Sequence, residues 1–356
     1  MKLPVGVIGG GSWGTTLAAL IAATEHPVKL WCRDSKVVQE INAQHTNQAY
    51  TGAYLLSGYI QATTEIKEVI TTCDLIFMVI PSRSFRSIAF EVGKWIQGNQ
   101  LLVSATKGLE LPRVKTMSEV LKEETCCKKI GVLSGPNIAT DILQGDPSGT
   151  VIASPYQEVI ERVRDVLNQP RFKVYGNKDI RGTEMAGALK NIIAISCGIA
   201  EGMGLKNNAK SFLITRGMME MSRYGCFFGG ELQTFYGLSG MGDLIATCFS
   251  PHSRNQTLGR HIAQGQKVED AVKKIQGVVE GMYSTQAVFH MAKKFHIFMP
   301  ITESIYRILF EGATVENEIK YLMEVRIKFE EGSLRTSYAD LTHTLIPKYP
   351  IPEYLL

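Results

Sequence analysis

At 356 residues, 45% apolar and 20% charged, the chain has the profile of a folded protein of two domains and not of a disordered segment. Its net charge of +4 comes without a Lys/Arg block, which argues against nucleic acid as a partner and leaves small anionic molecules open. Seven cysteines without a C-x-x-C spacing argue against a disulfide framework and a zinc site, so no metal is expected. No stretch approaches the roughly 18 uninterrupted apolar residues of a membrane span, and the N-terminus lacks the apolar core of a signal peptide. The expectation is a cytoplasmic protein without an integral membrane segment, for which a homodimer is a compatible assembly.

From residue 1 to about 180, β-rich runs at 5–8, 28–31, 75–80, 101–105, 130–133, 150–153 and 172–175 alternate with helical patterns at 12–24, 36–44, 84–97, 114–124 and 157–167. Several of the runs are apolar throughout, as in strands buried on both faces of a parallel sheet. The alternation predicts an α/β, Rossmann-type doubly wound, mostly parallel sheet. After about Gly182 strand signals vanish and helices are predicted at 183–201, 209–224, 243–248, 268–275, 284–294 and 300–311. The expected organisation is a dinucleotide-binding domain over 1–181, an all-helical substrate domain over 182–334, and a C-terminal extension, 335–356, of unassigned role.

The most informative motif lies at the first strand-to-helix turn, Gly9-Gly10-Gly11-Ser12-Trp13-Gly14. In a G-x-G-x-x-G loop, Gly9 permits the tight turn, Gly11 lets the backbone approach a pyrophosphate, and Gly14 lets helix and strand pack closely. The following helix offers free amides and the positive end of its dipole. A nicotinamide dinucleotide, NAD(H) or NADP(H), is therefore the expected cofactor. The second strand ends in Cys32-Arg33-Asp34. It lacks the usual ribose-binding carboxylate at its tip and carries an arginine suited to a 2′-phosphate, which favours NADP. Asp34 is read either as a ribose ligand or as the cap of the next helix.

Two lysines are candidates for the chemistry. Lys107, in Thr106-Lys107-Gly108, follows the carboxyl end of a predicted strand, where ligands of open α/β sheets gather. The alternative is an exposed loop lysine. Lys190 has Ala186, Gly187, Ile193 and Ala194 three and four residues away, so it should face packing or a cleft. Burial would lower its pKa toward that of a general acid/base, whereas snorkelling to the surface is the bland alternative. Gly240-Met241-Gly242-Asp243 offers a carboxylate that either starts a helix or orients Lys190. Ser253-Arg254-Asn255 supplies hydroxyl, guanidinium and amide in a row, a plausible phosphate or polyol clamp.

These segments, in order with Ser134-Gly135-Pro136-Asn137-Ile138-Ala139, Gly187-Ala188-Leu189-Lys190-Asn191, Thr215-Arg216-Gly217 and Val279-Glu280-Gly281, resemble the soluble NAD(P)-dependent glycerol-3-phosphate dehydrogenases of bacterial type. The resemblance runs from the glycine loop to about Glu311. It implies a Rossmann-type N-domain, a helical C-domain, and reversible hydride transfer between dihydroxyacetone phosphate and sn-glycerol 3-phosphate, which feeds phospholipid synthesis. It implies Lys190 as proton donor and acceptor, with Lys107 and Asp243 beside it. Lys107, Gly135, Asn137, Lys190, Asp243, Ser253, Arg254 and Asn255 fall at substrate positions. Gly9, Gly11, Ser12, Trp13, Gly14, Arg33, Lys107, Ala139, Arg254, Val278 and Glu280 fall at cofactor positions. Asn137 departs from the Ser or Thr usual in bacterial members, and the extension past about residue 335 exceeds the usual family length. A related β-hydroxyacid dehydrogenase and a non-catalytic NAD(P) sensor are the rival readings. The first would want a carboxylate clamp, and the second would have no use for Lys190.

Overall fold

The computed structural model describes residues 2–325, so the expected extension 335–356 lies outside the described residues. The chain runs β1 (Val5–Ile8), α1 (Ser12–Ala23), β2 (Val28–Trp31), α2 (Ser35–Gln44), α3 (Gln48–Thr51), β3 (Ile60–Thr63), α4 (Ile66–Thr72), β4 (Leu75–Met78), α5 (Ser82–Gly93), β5 (Leu101–Ser104), α6 (Met117–Glu124), β6 (Ile130–Ser134), α7 (Ala139–Leu143), β7 (Ser148–Ala153), α8 (Gln157–Leu167) and β8 (Phe172–Asn177). These strands form one sheet in the order β3-β2-β1-β4-β5-β6-β7-β8. Every neighbouring pair is parallel except β6 and β7, which run antiparallel. The apolar runs of β1, β4, β5 and β6 are buried throughout, because helices cover both sheet faces.

Strand order reverses between β1 and β4, and the loops leaving the carboxyl ends of these strands diverge there. In an open α/β sheet that divergence is the ligand crevice. β1 delivers the glycine loop to one side of it, while β4 and β5 deliver residues 79–81 and 105–116 to the other.

Three expectations are refined. Edge strand β3 has no counterpart in the sequence reading, since Ile-Gln-Ala-Thr is too short and mixed to announce itself. The helix expected over 114–124 starts instead at Met117, where Thr116 and Glu119 form a capping box. Val114 lies in a turn closed by the Glu110–Lys115 bridge. Ser253-Arg254-Asn255, read only as a polar clamp, begins a helix that runs over Arg254–Ala263 with Ser253 as its N-cap.

The rest is helical: α9 (Ile180–Gly202), α10 (Asn207–Phe227), α11 (Leu232–Tyr236), a π-turn (Leu238–Gly242), α12 (Asp243–Phe249), α13 (Arg254–Ala263), α14 (Val268–Lys274), α15 (Glu280–Lys294), α16 (Pro300–Phe310) and α17 (Val315–Glu324). Helix α9 is buried on all sides from Gly182 to Ala200, as befits a central helix with no polar stripe. Helices α10, α12, α13 and α15 pack around it, and β6 touches it from the sheet side. Glu184 of α9 fastens the two layers by accepting from the Ser118 amide at 2.8 Å and hydroxyl at 2.6 Å at the start of α6. No helix among the described residues is long and apolar enough to cross a membrane. All seven cysteines are free.

Candidate active site

The glycine loop is built as a cradle. Gly9 sits at φ +126°, and a Cβ there would lie 2.3 Å from the Val79 carbonyl oxygen. A Cβ on Gly14 would lie 1.8 Å from the Gly9 carbonyl oxygen, so these two glycines are demanded by the chain's own packing. Gly11 differs: nothing lies within 4 Å of where its Cβ would stand, and its φ of −78° suits any residue. It is the N-cap of α1, with neither a side-chain cap nor an acidic residue in the first turn. Helix α1 therefore starts at a residue without a side chain, with open space where one would stand. This arrangement fits a dinucleotide pyrophosphate. Ser12 and Trp13 open the helix, and Ala139 begins α7, which packs on α1. Arg33 is exposed at the end of β2. Asp34 is the N-cap of α2, its Oδ1 accepting from the Lys36 amide at 2.9 Å, as the capping reading expects.

Across the crevice, Lys190 is buried on α9. Its ammonium donates to Asp243 Oδ1 and, at 2.6 Å, to Thr247 Oγ1. Lys107 reaches the same carboxylate from the β5–α6 loop, its Nζ 2.7 Å from Asp243 Oδ2, and donates to the Gly135 carbonyl at 2.8 Å. Asp243 is thus gripped by two cations, one on each oxygen. Burial is the main cause that lowers Lys190's pKa from its ordinary 10.5 to about 8; Asp243 pulls it up and the neighbouring Lys107 pushes it down. A lysine poised there exchanges a proton near neutrality. The π-turn that ends at Gly242 sets Asp243 at the start of α12, aimed inward at α9.

Beyond this trio, Asn137 donates from Nδ2 to Thr150 Oγ1 at 2.9 Å, while its Oδ1 and the Ser134 hydroxyl are buried without a hydrogen-bond partner. Two orphaned polar atoms, one at the end of β6 and one in the loop that follows it, are the mark of a polar ligand site. Ser253 caps α13, accepting from the Gln256 amide at 3.3 Å, and Arg254 is exposed in its first turn. Asn255 is buried and ties helices together. It donates to Asn191 Oδ1 at 2.9 Å and accepts from the Gly281 amide at 3.0 Å. Glu280 opens α15, and Val278 lies in the loop before it. Thr247 escaped the sequence reading, although its position one turn after Asp243 on the same helix was the available signal.

Sequence comparison bears on the same segments. The family model for the N-terminus of NAD-dependent glycerol-3-phosphate dehydrogenase matches residues 4–160, and the model for its C-terminus matches residues 179–320. The chain belongs to this family. It is 41% identical to a glycerol-3-phosphate dehydrogenase (NAD(P)+) of Halothermothrix orenii, over 90% of this chain and 94% of that one. It is 40% identical to the Pseudomonas fluorescens protein of the same description, over 94% and 98%. The crystal structure of glycerol-3-phosphate dehydrogenase from Coxiella burnetii superposes with a TM-score of 0.87 at 34% identity, covering 91% of this chain and 99% of that one. The sheet with its helical partner is thus the fold of these dehydrogenases, and the chain is an NAD(P)-dependent oxidoreductase of the CH–OH group.

Proposed function

We propose that the chain interconverts dihydroxyacetone phosphate and sn-glycerol 3-phosphate, with Lys190 as the proton donor and acceptor. The observation that carries this reading is a buried lysine held by Asp243 and Thr247 and faced by a second lysine across one carboxylate. In this reading residues 1–181 hold the dinucleotide and the helices from 182 onward hold the substrate. When bound, the nicotinamide supplies or takes up hydride at substrate C2. In reduction, Lys190 gives its proton to the C2 oxygen and becomes a neutral amine; in oxidation that amine takes the hydroxyl proton back. Asp243 and Thr247 hold the nitrogen in place through either half of the exchange. Lys107 adds positive charge where the oxygen gains electron density.

The two lysines and one aspartate leave the cluster with a net positive charge, suited to a phosphorylated substrate. Arg254 would take the phosphate, and the open acceptors of Ser134 and Asn137 would receive substrate hydroxyls. Binding energy from the phosphate end then aligns C2, which is how remote contacts accelerate a reaction. The glycine loop, Ser12, Trp13, Arg33, Ala139 and Val278 would hold the dinucleotide. The test is the initial rate of NADH and NADPH oxidation with dihydroxyacetone phosphate. Turnover with a β-keto acid and none with dihydroxyacetone phosphate would replace this reading by the hydroxyacid one.

A further inference from the structure

Glu280, at the first position of α15, does not point its carboxylate into open space. Oε1 accepts from the Ser82 amide at 3.0 Å, and Oε2 accepts from the Ser82 hydroxyl. The two residues lie 198 positions apart, one at the start of α5 beside the sheet and one in the helical layer. Position 81, the N-cap of α5, is Pro81, which makes no side-chain cap bond, so Glu280 supplies that service from the other layer. This clasp sits on the backbone of the residue after Lys107. A Cβ placed on Gly108 would lie 2.8 Å from Ser82 Cβ and 2.9 Å from Glu280 Oε2. One step earlier, Thr106 Oγ1 donates to the Ile80 carbonyl at 2.7 Å and accepts from the Ile80 amide at 3.2 Å, sewing the same two loops together. On the helical side, the Gly281 amide is held by Asn255, whose amide nitrogen grips Asn191, the neighbour of Lys190. A continuous chain of contacts therefore joins both lysines to one point.

We infer that Ser82 and Glu280 are positioning residues that seat the Lys107 loop against Asp243 and Lys190, and so set the geometry of the proton-transferring group. This inference rests on the role proposed for Lys190. The physical link is electrostatic. The groups facing Lys190 are Asp243, Thr247 and Cys248 from α12 and Lys107 from the loop. If the clasp loosens, the Lys107 ammonium withdraws. Its repulsion of the Lys190 ammonium weakens, and Asp243 is left to pull on Lys190 alone. Both changes raise the pH at which Lys190 gives up its proton.

The test is Ser82→Ala, which removes one of the two donors and keeps the amide, with Ser82→Thr as the conservative rescue. Each variant is assayed for kcat of dihydroxyacetone phosphate reduction across pH 6–10 and for dinucleotide Kd by fluorescence, after thermal melting confirms the fold. We expect Ser82→Ala to lose about tenfold in kcat, to move the midpoint of the pH profile up by about half a unit, and to leave Kd within about twofold. Ser82→Thr should restore both kcat and midpoint. If Ser82→Ala fails to fold, Glu280→Gln, which keeps the shape and can still accept from the Ser82 amide, must show the same upward midpoint. A changed Kd with kcat and midpoint unmoved would mean that Glu280 merely contacts the dinucleotide, and would overturn the inference. Loss of the Lys190 role is a separate outcome, read from Lys190→Ala and not from Ser82.

Discussion

At the N-terminus of α1 a run of consecutive residues, 9 to 14, makes the whole of the candidate anion cradle. The ammonium of Lys190, by contrast, is served by groups from the β5–α6 loop and α12, with Gly135 steadying Lys107 from the loop after β6. The first site is contiguous in sequence, although Gly9 packs on Val79 after β4 and Gly10 on Cys32 after β2. The second exists only when sheet and helical layer are packed. A local site advertises itself as a motif, whereas a site assembled across layers advertises itself by a residue that is out of place, here a lysine on an apolar helix face. The two should also fail differently when altered.

The largest effect is expected at the assembled site. Lys190→Ala should lower kcat by about a thousandfold, within the usual range for loss of a general acid/base. Asp243 keeps Lys107 as partner, so the fold should survive. Dinucleotide Kd, read by fluorescence titration, should change less than about twofold. A variant that is folded and retains comparable turnover would remove Lys190 from the mechanism.

At the local site, the glycines should separate by role. Gly11→Val has open space for its side chain and an ordinary φ, so the protein should fold normally. Dinucleotide affinity should fall on the order of 100-fold, because the side chain occupies the pyrophosphate's approach. Gly14→Ala places a methyl 1.8 Å from the Gly9 carbonyl oxygen and should cost stability before binding is even measured. Thermal melts beside titrations decide this. Unchanged affinity in folded Gly11→Val would reduce the loop to a structural turn.

How much was legible follows the same division. The loop 9–14, the strands that lie beside it and the helical character after Gly182 were readable, because periodicity and glycine placement are local signals. Lys190 was readable from its own helix neighbours. Ser82 and the clasp on Glu280 were not, since nothing near Ser82 in sequence says that a carboxylate 198 positions away will cap its helix. Ser253-Arg254-Asn255 was legible as a polar run, but not the part each member takes in the fold: Ser253 caps α13, Asn255 joins helices, and Arg254 is exposed. Adjacent residues on a helix point in different directions, so a run of polar side chains in sequence is not a cluster in space.

The pH dependence sharpens the contrast, because the assembled site holds a proton shifted toward neutrality. Reduction needs the Lys190 ammonium, which predominates below its pKa of about 8. The rate of reduction should therefore be flat below that pH and fall up to about tenfold per unit above it. Oxidation needs the neutral amine, so its rate should rise with pH and level off above about 8. Binding at the glycine loop, which relies on backbone amides, should not follow this titration. Profiles of kcat in both directions check the signs; parallel profiles in the two directions would contradict a shared proton on Lys190.

The smallest effect concerns Arg33 and the choice between NADPH and NADH. The end of β2 carries one charge of each sign, Arg33 and Asp34, both exposed. Cys32 is buried against Gly10, where a Cβ would stand 2.2 Å from its sulfur, and burial pushes its thiol up to about 12, so it stays neutral. Asp34 caps α2, its Oδ1 accepting from the Lys36 amide at 2.9 Å. Arg33, exposed beside them, is the cation that would meet a 2′-phosphate. A buried charge-assisted bond would count for much more, but a solvated guanidinium is screened, so Arg33→Ala should cost NADPH only about fivefold in kcat/KM. NADH should lose less, because only adenine stacking is removed. Raising the salt concentration should shrink the NADPH penalty and leave the NADH value nearly unchanged, since stacking is not screened as an ion pair is. Equal losses for both cofactors would confine Arg33 to the adenine and leave the preference for NADP without a physical basis.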